Sequence, residues 1–290
     1  MKTVKQVSLD FSEQLSAIYD GNEVNSLCTM VLESVVNISS AKIRAFPETE
    51  ISTPDSERIT HILTRLTTGE PIQYILGYAE FYGLTFKVNS SVLIPRPETE
   101  ELVDWILSSV GSSQLAIGRF LDIGTGSGCI PISLKKNLTD AQVSAIDISP
   151  EALRTAKKNA QLNKVDINFI QDDILNPINH SLLITHYSLI VSNPPYVTLE
   201  DKKLMHTNVT DFEPHTALFV PEDNPLIFYK AIANFASTHL EKDGLLFFEI
   251  NESYGKEIVN ILNDKQFTNI ELRKDMNGKD RMVKAVYSRN

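Results

Sequence analysis

The chain has 290 residues, 42% of them hydrophobic, which is enough to bury a full core and to divide into two unequal domains. Against 27 Lys and Arg stand 37 Asp and Glu, and the formal charge of -10 disfavours a protein that holds nucleic acid by neutralising phosphates. Cys28 and Cys129 lie far apart with no metal-ligand spacing, so neither a disulfide framework nor a zinc site follows, and no metal is expected.

The N-terminus lacks the basic segment and apolar run of a signal peptide, and no stretch approaches the length of a membrane span. The expectation is a soluble, cytoplasmic protein. Residues 1–75 read as helical. Val24, Leu27, Cys28, Val31 and Val35 fall on one helical stripe, and Ile59, Ile62, Leu63 and Leu66 on a second. Thr53 is the expected N-cap of the second helix, with Pro54 at its first position, and Gly69 and Pro71 close it. No catalytic constellation appears here, and a bundle used for recognition and a merely stabilising extension both remain open.

Phe81 to Val88 carries a turn at Gly83 followed by an alternating strand, which reads as a hairpin. Pro95 and Pro97 then bracket Arg96, and Glu98-Thr99-Glu100-Glu101 opens a helix whose acids suit the helix dipole. From Arg119 onward apolar strands at Phe120–Ile123, Val143–Ile146, Ile167–Ile170, Leu189–Val191 and Leu245–Ile250 alternate with helices near 129–137, 150–162, 226–240 and 255–263. Strands at Asn269–Arg273 and Arg281–Tyr287 lack an intervening helix and pair as a terminal hairpin. This pattern predicts an α/β domain with a mostly parallel seven-stranded sheet and helices on both faces. The expected division is a helical substrate-recognition domain over 1–77, a β-hairpin linker over 78–94 and the α/β domain over 95–290.

Leu121-Asp122-Ile123-Gly124-Thr125-Gly126-Ser127-Gly128 ends the first strand of that sheet and opens a helix. Glycines at alternate positions let the backbone bend sharply and approach a ligand. Asp147 ends the next strand, where an acid accepts hydrogen bonds from both hydroxyls of a ribose. The third glycine comes one residue earlier than in G-x-G-x-x-G, so the loop suits an adenosyl amino acid better than a pyrophosphate, and a dehydrogenase is disfavoured. Asp122 is a candidate for the ligand's ammonium or a brace of the turn. Asp172 and Asp173 follow the third strand. Such a pair can be a solvated loop, or one of them can bind the adenine amino group, with Asp173 the better placed and Ile174 able to pack on the purine.

Asn193-Pro194-Pro195-Tyr196 follows the strand Leu189-Ile190-Val191-Ser192. An Asn side-chain oxygen and the carbonyl of Pro194 are both acceptors, and together they can hold the two N–H bonds of one planar NH2 group. Two prolines stiffen the loop, and Tyr196 offers an aromatic face. A methyl donor beside a planar amine is the simplest chemistry that uses both motifs.

Gly69-Glu70-Pro71-Ile72-Gln73-Tyr74-Ile75-Leu76-Gly77, Val92-Leu93-Ile94-Pro95-Arg96-Pro97-Glu98-Thr99-Glu100, the Asp122–Gly128 loop and Asn193–Tyr196 together resemble the HemK/PrmC family. These are S-adenosyl-L-methionine-dependent methyltransferases of peptide chain release factors, and the Pro-Arg-Pro-Glu-Thr-Glu segment makes the match specific. The resemblance implies a Rossmann-like class I methyltransferase domain that methylates the side-chain amide nitrogen of the glutamine in the Gly-Gly-Gln motif of class 1 release factors. It implies that Gly124, Thr125, Gly126, Ser127 and Gly128 cradle the methionine part of the cofactor, that Asp147 holds the ribose, and that Asp173 and Ile174 flank the adenine. Asn193 would touch both cofactor and substrate, and Asn193, Pro194, Pro195 and Tyr196 would bind the glutamine amide and form the catalytic site. The helical domain would help dock the release factor. The expected partner is therefore a class 1 release factor, with no stable nucleic acid, no membrane and a monomeric chain. The chain departs from the family at Asn224-Pro225-Leu226, where Asp-Gly-Leu is usual, and at Asn251-Glu252-Ser253, where a glycine and a glutamine are usual.

The main rival is a nucleic-acid amino methyltransferase acting on adenine N6 or guanine N2, whose planar NH2 poses the same chemistry. The acidic balance and the lack of a basic target-recognition segment stand against it. A third reading is a non-catalytic scaffold on a cofactor-binding fold. His206 and His215 lie in the Val197–Asn224 loop, where a surface role is the default.

Overall fold

The computed structural model describes residues 1–112, 118–203, 205 and 207–288. Helices α1 (Val4–Leu15), α2 (Gly21–Val36), α3 (Ser40–Ala45), α4 (Thr53–Leu66) and α5 (Ile72–Leu76) come first. Val4, Val7, Phe11 and Leu15 line one face of α1 and meet both expected stripes, with Ile51 and Ile72, in a single core. The caps are local. Thr3 and Gln6 form a capping box, and the Asp20 carboxylate accepts from the backbone of Asn22 and Glu23. Ser52, rather than Thr53, caps α4 by accepting from Asp55 N, so Thr53 and Pro54 occupy the first two helical positions. Both residue types cap well, and the fully buried Ile51 just before Ser52 fixes where the chain turns into the helix.

Strands β1 (Tyr78–Phe81) and β2 (Leu84–Lys87) form an antiparallel hairpin, with Tyr82 and Gly83 both at positive φ in the two-residue turn. Then follow α6 (Pro97–Ser112), β3 (Arg119–Ile123), α7 (Cys129–Asn137), β4 (Gln142–Asp147), α8 (Pro150–Asn163), β5 (Asn168–Gln171), α9 (His180–Ile184) and β6 (Tyr187–Ser192). Short helices α10 (Leu199–Lys202), α11 (Thr207–Phe212) and α12 (His215–Leu218) lead to α13 (Ile227–His239), β7 (Leu240–Glu249), α14 (Gly255–Asp264), β8 (Phe267–Lys274) and β9 (Asp280–Tyr287). Two compact units result, one of Met1–Gly77 with α11, the other of Tyr78–Met205 with the chain from Glu213 on. No described helix is long and apolar enough to cross a membrane.

The second unit is built on a seven-stranded sheet of order β5-β4-β3-β6-β7-β9-β8, in which only β9 runs against the others and makes the antiparallel pairs with β7 and β8. Strand β7 begins at Leu240, five residues before the expected start, because its register on β6 shifts between Leu240 and Leu245. The charged stretch Glu241-Lys242-Asp243 falls in that irregularity and reads as a loop in sequence. Alternation along the strands separates two cores. Phe120, Val143, Leu189, Val191, Leu245 and Phe247 pack with α6 and α7 residues such as Leu102, Trp105 and Ile130. Leu121, Ile123, Ile146, Ile190, Leu246 and Phe248 pack with α13 and α14 residues such as Ile232 and Ile258.

The hairpin, expected as part of a linker, packs into this unit. Phe81 and Phe86 join the first core, Asn159 Oδ1 accepts from Lys87 N at 2.7 Å, and Asn163 Nδ2 donates to Thr85 O at 3.0 Å. Two buried asparagines on α8 thus satisfy the polar edge of β2.

Candidate active site

The chain leaves β3 for β4 and β5 on one side and returns to β6 on the other, so the sheet reverses direction between β3 and β6. Open α/β sheets bind ligands outside the carboxyl ends of the strands at such a point. A cavity of about 370 Å³ lies there, lined by residues after β3, β4, β5 and β6, by Arg96 and Thr99 at the start of α6, and by Phe219, Ile227 and Phe228. Four strand ends carry a polar residue in phase with the α6–α7 face: Asp122 follows Phe120, Asp147 follows Ala145, Asn193 follows Val191, and Glu249 follows Phe247; of these Asp147 and Asn193 line the cavity.

Gly124 N and Thr125 N both donate to Ile146 O, at 2.9 and 3.0 Å, which ties the loop after β3 to the end of β4. Asn159 Nδ2 donates to Ser127 O at 2.8 Å from behind. At Gly126, φ is +54° and a Cβ would meet no atom within 4 Å, so this glycine keeps backbone open toward the cavity it lines. Gly128 differs. It caps α7 at φ +81° and does not line the cavity, and a Cβ there would stand 3.0 Å from Ile132 Cδ1 and 3.1 Å from Ala156 Cβ. Its role is close packing of α7 on α8.

Asp147 lines the cavity, and its carboxylate also braces the loop, accepting from Gly126 N at 2.8 Å and Ser149 N at 2.9 Å. Burial raises its pKa, against those backbone bonds. Each oxygen retains a second acceptor site for a hydroxyl. The carboxylate of Asp122 is buried and neither oxygen has a hydrogen bond of good geometry; burial lifts its pKa to about 7, against the nearby Thr125 hydroxyl and with the help of the Asp147 charge. Asp172 and Asp173 separate in function. Asp172 is buried and accepts from the backbone of Asp173, Ile178 and Asn179, whereas Asp173 is half-exposed and accepts from Leu175 N. Both line the cavity with Ile174. Burial pushes the Cys129 thiol up to about 12, which removes this cavity-lining sulfur as a nucleophile.

Asn193, Pro194 and Pro195 line the cavity; Tyr196 does not. The Tyr196 ring packs against the second core and its hydroxyl donates to Glu249 Oε1 at 3.0 Å. Asn193 Nδ2 donates to Thr99 Oγ1 at 3.2 Å, and Thr99 in turn donates to Glu249 Oε2 at 2.6 Å. Ser192 Oγ donates to Ile123 O at 2.7 Å and pins β6 to β3 just before the tetrapeptide. Asn251, one of the departures from the family pattern, holds its other end by donating to Tyr196 O at 3.2 Å and Asp201 Oδ2 at 2.9 Å.

The sequence alone assigns no role to Thr99, Glu213, Glu249 or Asn251. The Glu213 carboxylate is buried, pairs with the Arg96 guanidinium and accepts from Ile94 N at 3.1 Å, fixing the segment that enters α6. Thr99 sits among acids that explain themselves by the helix dipole, and Glu249 ends an apolar strand. The phase of β7 was the one available signal. His215 is exposed with its ring edge-on to Phe219, and His206 lies outside the described residues. No described histidine lines the cavity.

The residues present fit S-adenosyl-L-methionine: the cavity is lined by an open backbone at Gly126, a strand-end acid at Asp147 and an apolar wall at Ile148 and Ile174, and behind the loop, outside the lining, lies the buried carboxylate of Asp122, an anion suited to a nearby ammonium. Fold and site together define a Rossmann-like S-adenosyl-L-methionine-dependent methyltransferase. The Methyltransferase small domain family matches residues 105–211, and the PrmC N-terminal domain family matches residues 7–77. The release factor glutamine methyltransferase of Flavobacterium psychrophilum is 45% identical over 98% of this chain and 99% of its own. That of Bacteroides thetaiotaomicron is 41% identical over 97% and 99%. The chain belongs to the release factor glutamine methyltransferase family. Among solved structures, the hMettl16 catalytic domain in complex with MAT2A 3'UTR hairpin 1 has a TM-score of 0.58 at 16% identity, covering 96% of this chain and 91% of its own. The T. thermophilus 16S rRNA N2 G1207 methyltransferase RsmC, in complex with AdoMet and guanosine, has a TM-score of 0.52 at 17% identity over 73% and 50%. At such identities these two share the fold alone.

Proposed function

We propose that this protein transfers a methyl group from S-adenosyl-L-methionine to the side-chain amide nitrogen of the Gly-Gly-Gln glutamine in class 1 release factors, and so modulates translation termination. The observation that carries the reading is the placement of Asn193 and Pro194 in the same cavity as the Gly124–Ser127 loop and Asp147. When bound, the cofactor supplies an electrophilic methyl on a sulfonium. Gly124–Ser127 would receive its methionine part, Asp122 its ammonium, Asp147 its ribose, and Asp173 with Ile174 its adenine.

An amide nitrogen is a poor nucleophile because its lone pair is delocalised into the carbonyl. Asn193 Oδ1 and the Pro194 carbonyl accept its two N–H bonds, which makes the nitrogen more electron-rich and aims it at the methyl. Fixed φ at Pro194 and Pro195 holds both acceptors in place before substrate arrives. Orientation supplies most of the effect, and the proton can leave after attack, so no base is needed beforehand. Tyr196 serves by holding Glu249 rather than by stacking on substrate. The N-terminal helical unit docks the release factor, and the protein works as a monomer in the cytoplasm with no stable nucleic acid or membrane partner.

The test is transfer of labelled methyl by purified protein offered a class 1 release factor and, in separate reactions, duplex DNA and ribosomal RNA. Label should appear on the factor and vanish when its motif glutamine is replaced. Label on nucleic acid alone would overturn the substrate. Replacing Asn193 by Ala should abolish transfer with cofactor affinity nearly intact, and equal loss of both would sink its assignment.

A further inference from the structure

The Asn193 side chain can fill its place in two ways that differ only by exchanging its oxygen and its NH2 group. The exchange decides the chemistry. With oxygen forward it accepts from the substrate amide; with NH2 forward it sets donor against donor. The backbone of the tetrapeptide does not choose between them, because the two arrangements are nearly equal in shape.

The choice is made one residue away. A threonine hydroxyl has a single proton to give. The Thr99 proton is taken by Glu249 Oε2 across 2.6 Å, in a site where both side chains are buried. The second Glu249 oxygen accepts from the Tyr196 hydroxyl at 3.0 Å, so both carboxylate oxygens are engaged as acceptors. Thr99 Oγ1 has then only its lone pairs for Asn193 and must accept, at 3.2 Å, which requires Nδ2 on that side. The oxygen is left as the acceptor.

We propose that Glu249 and Thr99 form a one-way hydrogen-bond relay that locks the Asn193 amide with its oxygen presented to the substrate nitrogen, which makes Thr99 a positioning residue for methyl transfer. The proposal rests on the reading of Asn193 as amide acceptor. The three residues come from α6, β7 and the end of β6, so the relay exists only in the folded sheet. Glu249 at its far end fixes the direction by accepting from the Thr99 and Tyr196 hydroxyls on its two oxygens, bonds that favour the carboxylate against the burial that raises its pKa.

The test compares T99V, which keeps the shape and deletes the hydroxyl, with T99S, which keeps the hydroxyl, in the full chain with S-adenosyl-L-methionine and a class 1 release factor. T99V should lower kcat by about tenfold or more, the loss that follows when an orienting hydrogen bond is removed, with KM for the factor and cofactor affinity little changed. T99S should keep most of kcat. Should T99V fail to fold, T99A removes the same hydroxyl with less crowding, and thermal melts separate lost activity from lost structure. A T99V protein as fast as the parent overturns the relay, and so does a T99S protein as slow as T99V. N193A separates this from the reading beneath it. If N193A keeps its activity, Asn193 is not the acceptor and the relay falls with it; if N193A is inactive while T99V is fast, the relay alone falls.

Discussion

Two carboxylates a short strand apart carry opposite burdens. Asp147 is repaid for its burial by backbone N–H groups, and Asp122 is not. The pKa of Asp122 rises from 3.8 unfolded to about 7 folded, so between those values the folded protein holds a proton that the unfolded chain has lost. Stability without cofactor is therefore full below about pH 4 as far as this group is concerned, and is lost as pH rises through about 7. Asp122→Asn should flatten that dependence and melt higher than the parent at pH 8, while binding S-adenosyl-L-methionine more weakly; melts at pH 5 and 8 and a binding titration read both. The glycines of the loop make a second contrast. Gly128→Ala meets Ile132 and Ala156 at a positive φ and should destabilise by about 1–3 kcal/mol in a denaturant titration. Gly126→Ala meets open space, so its larger effect should fall on cofactor affinity, with strain at φ +54° the only cost to folding.

The start of helix α6 delivers two side chains to the cavity, Thr99 from its first turn and Arg96 from the residue just before it. What sets that entry is Glu213, distant in sequence, whose buried carboxylate holds Ile94 N and the Arg96 guanidinium together. Glu213→Ala leaves a backbone donor and a half-buried guanidinium without their acceptor. We expect a loss of about 2 kcal/mol in denaturant midpoint analysis, the scale of hydrogen bonds to a charged partner. Because the segment also carries Thr99, kcat should fall more than cofactor affinity. The loop after β6 is held in the same manner from its far end, by Asn251 reaching Tyr196 O and Asp201. A chain with glycine at that position must hold the end of the tetrapeptide by other means.

At the scale of the whole molecule, cofactor binding is coupled to folding, since the cradle is assembled from β3, β4, β5 and the start of α6. S-adenosyl-L-methionine at a hundredfold excess over its Kd should stabilise the protein by about 2.7 kcal/mol, seen as a rise in Tm, with a smaller rise in Asp122→Asn at equal concentration. Absence of any shift would remove the cofactor site from this cavity.

The alternation of strands and helices, the glycine loop and the Asn-Pro-Pro-Tyr sequence were enough to read the α/β class, the mostly parallel sheet with its terminal hairpin, and the family, because period and turn chemistry are local properties. Strand phase was local too, yet Glu249 passed unnoticed at the end of β7, where one acid after an apolar run looks like a solvated strand end. The extra residues of β7 before Leu245 carry charges that read as a loop, and only a register shift with β6 accommodates them in the strand. Pairings between Thr99, Asn193 and Glu249, and between Arg96 and Glu213, join residues whose separation along the chain exceeds any local pattern. Which hydroxyl donates, which amide face is forward and which buried carboxylate lacks a partner are settled only when sheet and helices bring these groups within hydrogen-bond reach, since proton direction belongs to a network and not to a residue.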